Sequence, residues 1–255
     1  MKKLIVANWK LNPTSKNEAE RLLRAVLKGG PYNVDLVLAP PFVWLEAVGK
    51  IVKRARGVSL GAQDLFWEDS GAYTGEISGK MLRGLGATYV IVGHSERKIH
   101  LGETDEMINK KVRAAFKAGL KPILCVGERE RPESHRSGVF QGPIGEIIES
   151  QLKVALRDVP KARINDLTVA YEPVWAIGTG IPDTPEDAMS AAIFIRRIVG
   201  KLFGSALGEK LRVIYGGSVN AKNAASFINE DGIDGALVGG ASLDAAEFVK
   251  LLKSL

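Results

Sequence analysis

Leu167-Thr168-Val169-Ala170-Tyr171 is a short apolar run that ends abruptly in Glu172-Pro173-Val174-Trp175-Ala176-Ile177-Gly178-Thr179-Gly180. The run has the length and composition of a buried strand. Pro173 prevents it from continuing as a regular ladder. A carboxylate at the mouth of a buried strand sits where water is scarce, and Glu172 is a candidate base. The residues after it read as a stiff flap whose glycine amides could wrap an anion. Taken alone, the segment is equally a strand end, a turn and a surface glutamate, so the rest of the chain decides.

Seven further runs resemble this one: Leu4 to Ala7, Leu36 to Ala39, Val58 to Ala62, Tyr89 to Val92, Ile123 to Val126, Val213 to Tyr215 and Ala236 to Val238. Helix-capable segments separate them, among them Asn17 to Lys28, with apolar Leu22, Leu23, Val26 and Leu27, and Phe42 to Ala55. Short strands that are apolar on both faces belong to a parallel sheet covered by helices. Eight such units in 255 residues, without a linker or composition break, favour an α/β fold. The expected architecture is a single (β/α)8 barrel domain spanning residues 1–255.

Composition narrows the function. One cysteine, Cys125, excludes a disulfide framework and an all-cysteine metal site, and its apolar surroundings predict a buried, inert thiol. The first residues are too short an apolar stretch for a signal core or a membrane span, so a cytoplasmic enzyme is expected. The net charge of +6 and pI of about 9.3 are compatible with an anionic small substrate. The basic residues are scattered, densest at Lys50, Lys53, Arg54 and Arg56, and are not interleaved with aromatics as a nucleic-acid platform requires. Neither nucleic acid nor membrane is an expected partner.

In a barrel of this kind the active site lies at the C-terminal ends of the strands. Those ends deliver Asn8 and Lys10, Gln63 with the long loop to Ser78, His94-Ser95-Glu96, Gly127-Glu128, Glu172 with its flap, Gly216 to Asn220, and Gly239-Gly240. Three chemistries meet there: a base, Glu172; hydrogen-bond donors Asn8, Lys10 and His94; and glycine-rich backbone able to approach a phosphate. A helix start at His94 disfavours imidazolium, which suits a neutral donor. A further helix starting near Ala241 would add its dipole. Individually, His94 could be structural, Lys10 a surface lysine and the glycine pairs ordinary turns; five of eight strand ends carrying matched parts argue otherwise.

The segments Asn8 to Asn12, Gly71 to Glu76, Val92 to Arg97, Ala170 to Gly180, Tyr215 to Asn220 and Gly235 to Gly240 resemble those of the triosephosphate isomerase family, in order from residue 4 to residue 254. The resemblance implies interconversion of dihydroxyacetone phosphate and D-glyceraldehyde 3-phosphate in glycolysis and gluconeogenesis, without metal or organic cofactor. A carboxylate base beside a neutral histidine is an established pattern of this family rather than a deduction from spacing. It implies that Glu172 moves the carbon-bound proton and His94 the oxygen-bound ones. Lys10 and Asn8 would stabilise the developing oxyanion, with Glu96 beside them. Gly178, Ser218, Gly239 and Gly240 would hold the phosphate. It also implies a homodimer through the 71–76 loop. The chain departs from the family pattern after Gly180, where Ile181-Pro182-Asp183 replaces a basic residue, a small residue and alanine; altered flap closure is the expected consequence.

Two rivals remain. A Schiff-base aldolase would need a buried lysine where strand six supplies Glu172, and a metal-dependent epimerase needs several ligands at strand ends, where only His94 of the three histidines falls. A non-enzymatic RNA-binding role would rest on the basic surface alone.

Overall fold

The computed structural model describes residues 2–131, 142–177 and 183–255. Strands β1 (Leu4–Asn8), β2 (Asp35–Ala39), β3 (Val58–Ala62), β4 (Tyr89–Val92), β5 (Lys121–Val126), β6 (Thr168–Tyr171), β7 (Arg212–Tyr215) and β8 (Gly235–Val238) pair in parallel in chain order, and β8 closes onto β1. The closed α/β barrel expected from the sequence is present, each strand within two residues of its expected ends.

Helices α1 (Lys16–Lys28), α2 (Leu45–Val52), α3 (Gly79–Gly84), α4 (Ser95–His100) and α5 (Asp105–Lys117) lie in the first half. Helices α6 (Pro143–Ala155), α7 (Pro185–Phe203), α8 (Ser205–Lys210), α9 (Ala224–Ile228) and α10 (Ala245–Lys253) follow in the second. The expected helix from Phe42 to Ala55 is instead a 3-10 turn, Phe42–Trp44, leading into α2. Pro41 sets the entry, the Trp44 indole donates to the Pro13 carbonyl at 2.8 Å, and the buried stripe ends at Val52. Near Ala241 only a 3-10 turn forms, Gly240–Leu243, before α10. The Asp244 carboxylate caps α10 by accepting from the Ala246 and Glu247 amides, so the regular helix starts after Asp244.

Period-two alternation divides the core. Leu4 and Val6, Val37 and Ala39, Ile123 and Cys125 fill the barrel interior. Their neighbours Ile5, Ala7, Leu36 and Leu38 point outward and pack in the larger layer beneath the helices. The interior is therefore a solid plug of side chains on which a site can be built.

Beside this plug, α5 buries Lys111. Its ammonium donates to both Asp64 carboxylate oxygens at 2.8 and 2.7 Å and lies 3.2 Å from Glu103. Arg97 completes the cluster, 2.6 Å from Glu103 and 2.9 Å from Asp64. These contacts tie the loop after β3 to α4 and α5. Burial pushes the Asp64 carboxyl up to about 6 against the pull of Lys111. Replacing Lys111 by Met leaves two buried carboxylates short of a partner and is expected to cost about 3–5 kcal/mol at pH 7 in urea unfolding. The loss should shrink below pH 6, where Asp64 takes up a proton; a loss independent of pH would assign the effect to packing instead.

Candidate active site

The ladder runs slightly beyond the strands and sets the rim. The Trp9 amide donates to the Ala39 carbonyl at 3.1 Å, Glu172 to Val126 at 2.8 Å, and Gly216 to Tyr171 at 2.7 Å. Asn8, following Leu4 and Val6 on the inner face, is buried at the mouth of the barrel. Its Oδ1 accepts from the Lys10 amide at 3.0 Å, which leaves the amide nitrogen free to donate. Lys10 has φ of +51°, a left-handed backbone that costs a side-chain-bearing residue about 1–2 kcal/mol. Asn8 and Gln63 hold it there, the Gln63 amide donating at 2.9 Å to the carbonyls of both Lys10 and Ala39.

His94 is the N-terminal cap of α4. Its Nδ1 accepts from the Glu96 amide at 3.2 Å, so the ring proton resides on Nε2 and the imidazole is a neutral donor in this arrangement. Nε2 faces Glu172 Oε1 at 3.4 Å. The other carboxylate oxygen, Oε2, accepts from the Ser95 amide at 2.9 Å. One helix start thus orients both the histidine and the carboxylate. Glu172 is buried, and its Oε1 has no hydrogen-bond partner among the described residues. Gly216 is required alongside it: a Cβ there would lie 2.8 Å from Glu172 Cγ.

Glu96 lies in the same group, its Oε1 2.5 Å from Lys10 Nζ and its Oε2 3.7 Å from His94 Nδ1. The lysine stem runs over Gly239, where an added Cβ would stand 3.0 Å from Lys10 Cε. Gly240 opens the 3-10 turn, and the Ser242 hydroxyl donates to the Gly239 carbonyl at 2.6 Å. Ser218 is partly exposed after β7, its carbonyl bonded by Asn223 at 3.0 Å. Gly178, Ile181 and Pro182 lie outside the described residues.

The barrel mouth therefore brings together Asn8, Lys10, His94, Glu96 and Glu172, with the backbone of residues 239–240 beside Lys10. Cys125 is buried behind Glu172, its thiol pushed up by burial and by the nearby carboxylate. The flap base is a 3-10 turn, Val174–Ala176, pinned by Trp175 Nε1 donating to Glu128 Oε1 at 2.8 Å. Sequence reasoning assigned no role to Gln63, to the Ser95 amide or to Glu128. Gln63 and Glu128 were visible as polar residues just past strand ends; the Ser95 amide has no signature in a side-chain pattern. Among the described residues no group of three or more His, Cys, Asp or Glu is arranged to hold a metal ion.

Comparison with known proteins gives the family. A model of the family "Triosephosphate isomerase" matches residues 3–255. The triosephosphate isomerase of Aquifex aeolicus is 46% identical over 256 residues, covering 100% of both chains. That of Acetivibrio thermocellus is 46% identical over 99% of this chain and 98% of its own. That of Dictyoglomus thermophilum is 44% identical over 99% of each. Full-length matches at this level, on a closed eight-stranded barrel, place the chain in the triosephosphate isomerase family.

Proposed function

We propose that Glu172, His94, Lys10 and Asn8 carry out the interconversion of dihydroxyacetone phosphate and D-glyceraldehyde 3-phosphate, the reaction that family membership assigns to the chain. Its place of action is the cytoplasm, in glycolysis and gluconeogenesis. The observation that carries the assignment of roles is the pairing of Glu172 with a histidine whose Nδ1 is already occupied.

Glu172 removes the proton from the carbon next to the carbonyl, giving an enediolate, and returns it to the neighbouring carbon. His94 donates its Nε2 proton to one oxygen and regains a proton from the other, so the ring ends as it began. A neutral donor suits this exchange because its N–H is a weak acid, closer in acidity to an enediol hydroxyl than imidazolium is, so the proton can be given and regained in one turnover. The Lys10 ammonium and the Asn8 amide stabilise charge developing on oxygen. Glu96 positions Lys10 through its carboxylate and His94 through its backbone amide. The backbone at Gly239 and Gly240, beside the Lys10 stem, suits the phosphate; Ser218 and Gly178 are assigned to it by resemblance.

Glu172→Ala is expected to lower kcat by roughly a thousandfold or more, the scale of a positioned general base. Isomerisation should be unaffected by chelator in the unmodified chain. An active Glu172→Ala protein, or loss of activity on chelation, would remove the proposed mechanism.

The same barrel end suits a homodimer. Leu11 is 89% exposed, Tyr73 46%, Met81 54% and Leu101 63%, on segments following β1, β3 and β4. Exposed apolar side chains on three segments that follow strands of one barrel favour a covered face. Tyr73, in the 71–76 loop, packs against Phe66 with tilted rings, their centroids 4.7 Å apart, which gives that loop a firm base. Sedimentation should give twice the chain mass, and Tyr73→Asp with Met81→Asp should halve it; an unmodified chain sedimenting at its own mass would exclude the dimer.

A further inference from the structure

A groove of about 800 Å³, within the size range of small-molecule sites, runs between α1 and α2 on the outer side of β2. Its walls follow helical spacing: Lys16, Glu20, Arg24 and Leu27 line it from α1, and Glu46, Lys50 and Arg54 from α2 and the turn after it. The floor is apolar, formed by Leu27, Val34, Leu36, Ile51 and Val58, all buried or half-buried. Tyr32 stands at the end nearest the strand starts, with its hydroxyl already donating to the Val26 carbonyl. Lys50, Arg54 and Arg56 of the dense basic stretch, to which the isomerase reaction gives no role, all line this groove.

We propose that the groove binds a small amphipathic carboxylate, with its head at Arg54 and Arg56 and its apolar body along Leu27, Ile51 and Val58. The site lies at the end of the barrel where the strands begin, away from the mouth, and stands independently of the isomerase reading.

The charges divide along the groove. Its acids, Glu20 and Glu46, stand in the first two turns of their helices and already have cations: Glu20 lies 3.8 Å from Lys16 and 3.7 Å from Arg24, and Glu46 2.6 Å from Lys50. Arg54 and Arg56, at the other end, are exposed and have no ion-pair partner among the described residues. Their guanidinium forks match the two oxygens of a carboxylate. Both helices end near these arginines, and helix C-termini disfavour negative charge, so a singly charged head fits better than a phosphate dianion. The depth of the floor selects a narrow ligand over a membrane surface. Of the large aliphatic residues in the groove only Val43, at the mouth end, is strongly exposed, so a flat lipid surface would not reach the others.

The test is isothermal titration of the full chain with octanoate, beside acetate as the head alone and 1-octanol as the body alone. Octanoate should bind once per chain with Kd on the order of 0.1–1 mM, the scale for a ligand of about ten non-hydrogen atoms. It should bind roughly tenfold or more tighter than acetate or 1-octanol, since each lacks half of the contact. Arg54→Gln with Arg56→Gln, both at exposed positions, should weaken octanoate by roughly tenfold, leave 1-octanol unchanged and leave isomerase turnover unchanged. Ala47→Phe, which fills the groove from α2, should abolish octanoate binding; if it fails to fold, the arginine pair carries the test alone. Octanoate bound no better than acetate or 1-octanol overturns the proposal, as does binding undiminished in the arginine pair. Attachment to phosphatidylglycerol vesicles without binding of free octanoate would overturn it in favour of a membrane surface.

Discussion

The site depends on one geometric constraint, the alternation of side chains along strands that close on themselves. Residues two apart share a face, so the interior row of each strand continues in a predictable position at the rim. In β1 the row Leu4, Val6 ends in Asn8, and in β6 Ala170 is followed by Glu172. On β7 and β8 the interior residues Ile214 and Leu237 are followed by Gly216 and Gly239. Polar groups arrive from one part of the ring and empty space from another. A shift of one residue in any of these strands would turn the functional group outward and an apolar one inward.

On that frame, a few backbone amides perform most of the alignment. The Ser95 amide fixes Glu172, and the Glu96 amide fixes the His94 tautomer; both come from the first turn of α4. Unpaired amides at a helix start need acceptors in any case. Here they obtain them from the residues proposed to carry the chemistry, so satisfying the helix and orienting the site are the same set of bonds. Lys10 follows a similar logic. Its left-handed backbone is unfavourable by itself, and the hydrogen bonds from Gln63 and to Asn8 hold it. The strain is local, and the rigid plug beneath supports it.

Much of this was legible in the sequence because it rests on periodicity and on residue type at strand ends. All eight strands followed from short apolar runs, and the gathering of Asn8, Lys10, His94, Glu96 and Glu172 at the barrel mouth from what stands after them. The misread elements depend on local turns and long-range bonds that an apolar pattern does not report. The 3-10 turn at Phe42–Trp44 has a helical pattern, and its tightness comes from Pro41 and from a bond to distant Pro13. The 3-10 turn at Gly240–Leu243 gives way to a helix only where Asp244 can cap it. The amide of Ser95 carries information only once the fold has brought Glu172 to it.

Asp183 illustrates the limit from the other side. In the sequence it is a departure from a familiar pattern, and Pro182 next to it draws the eye first as a stiff residue. The fold gives the aspartate its meaning by placing Arg131, 52 residues earlier, against it. A buried carboxylate beside Asp187 is costly without a cation at hand, and Arg131 brings one to both. Substitutions of this kind have to be read as a pair. The pairing of Asp183 with Arg131 is a matter of buried charge set against a nearby cation, and it becomes readable only when the fold is in view.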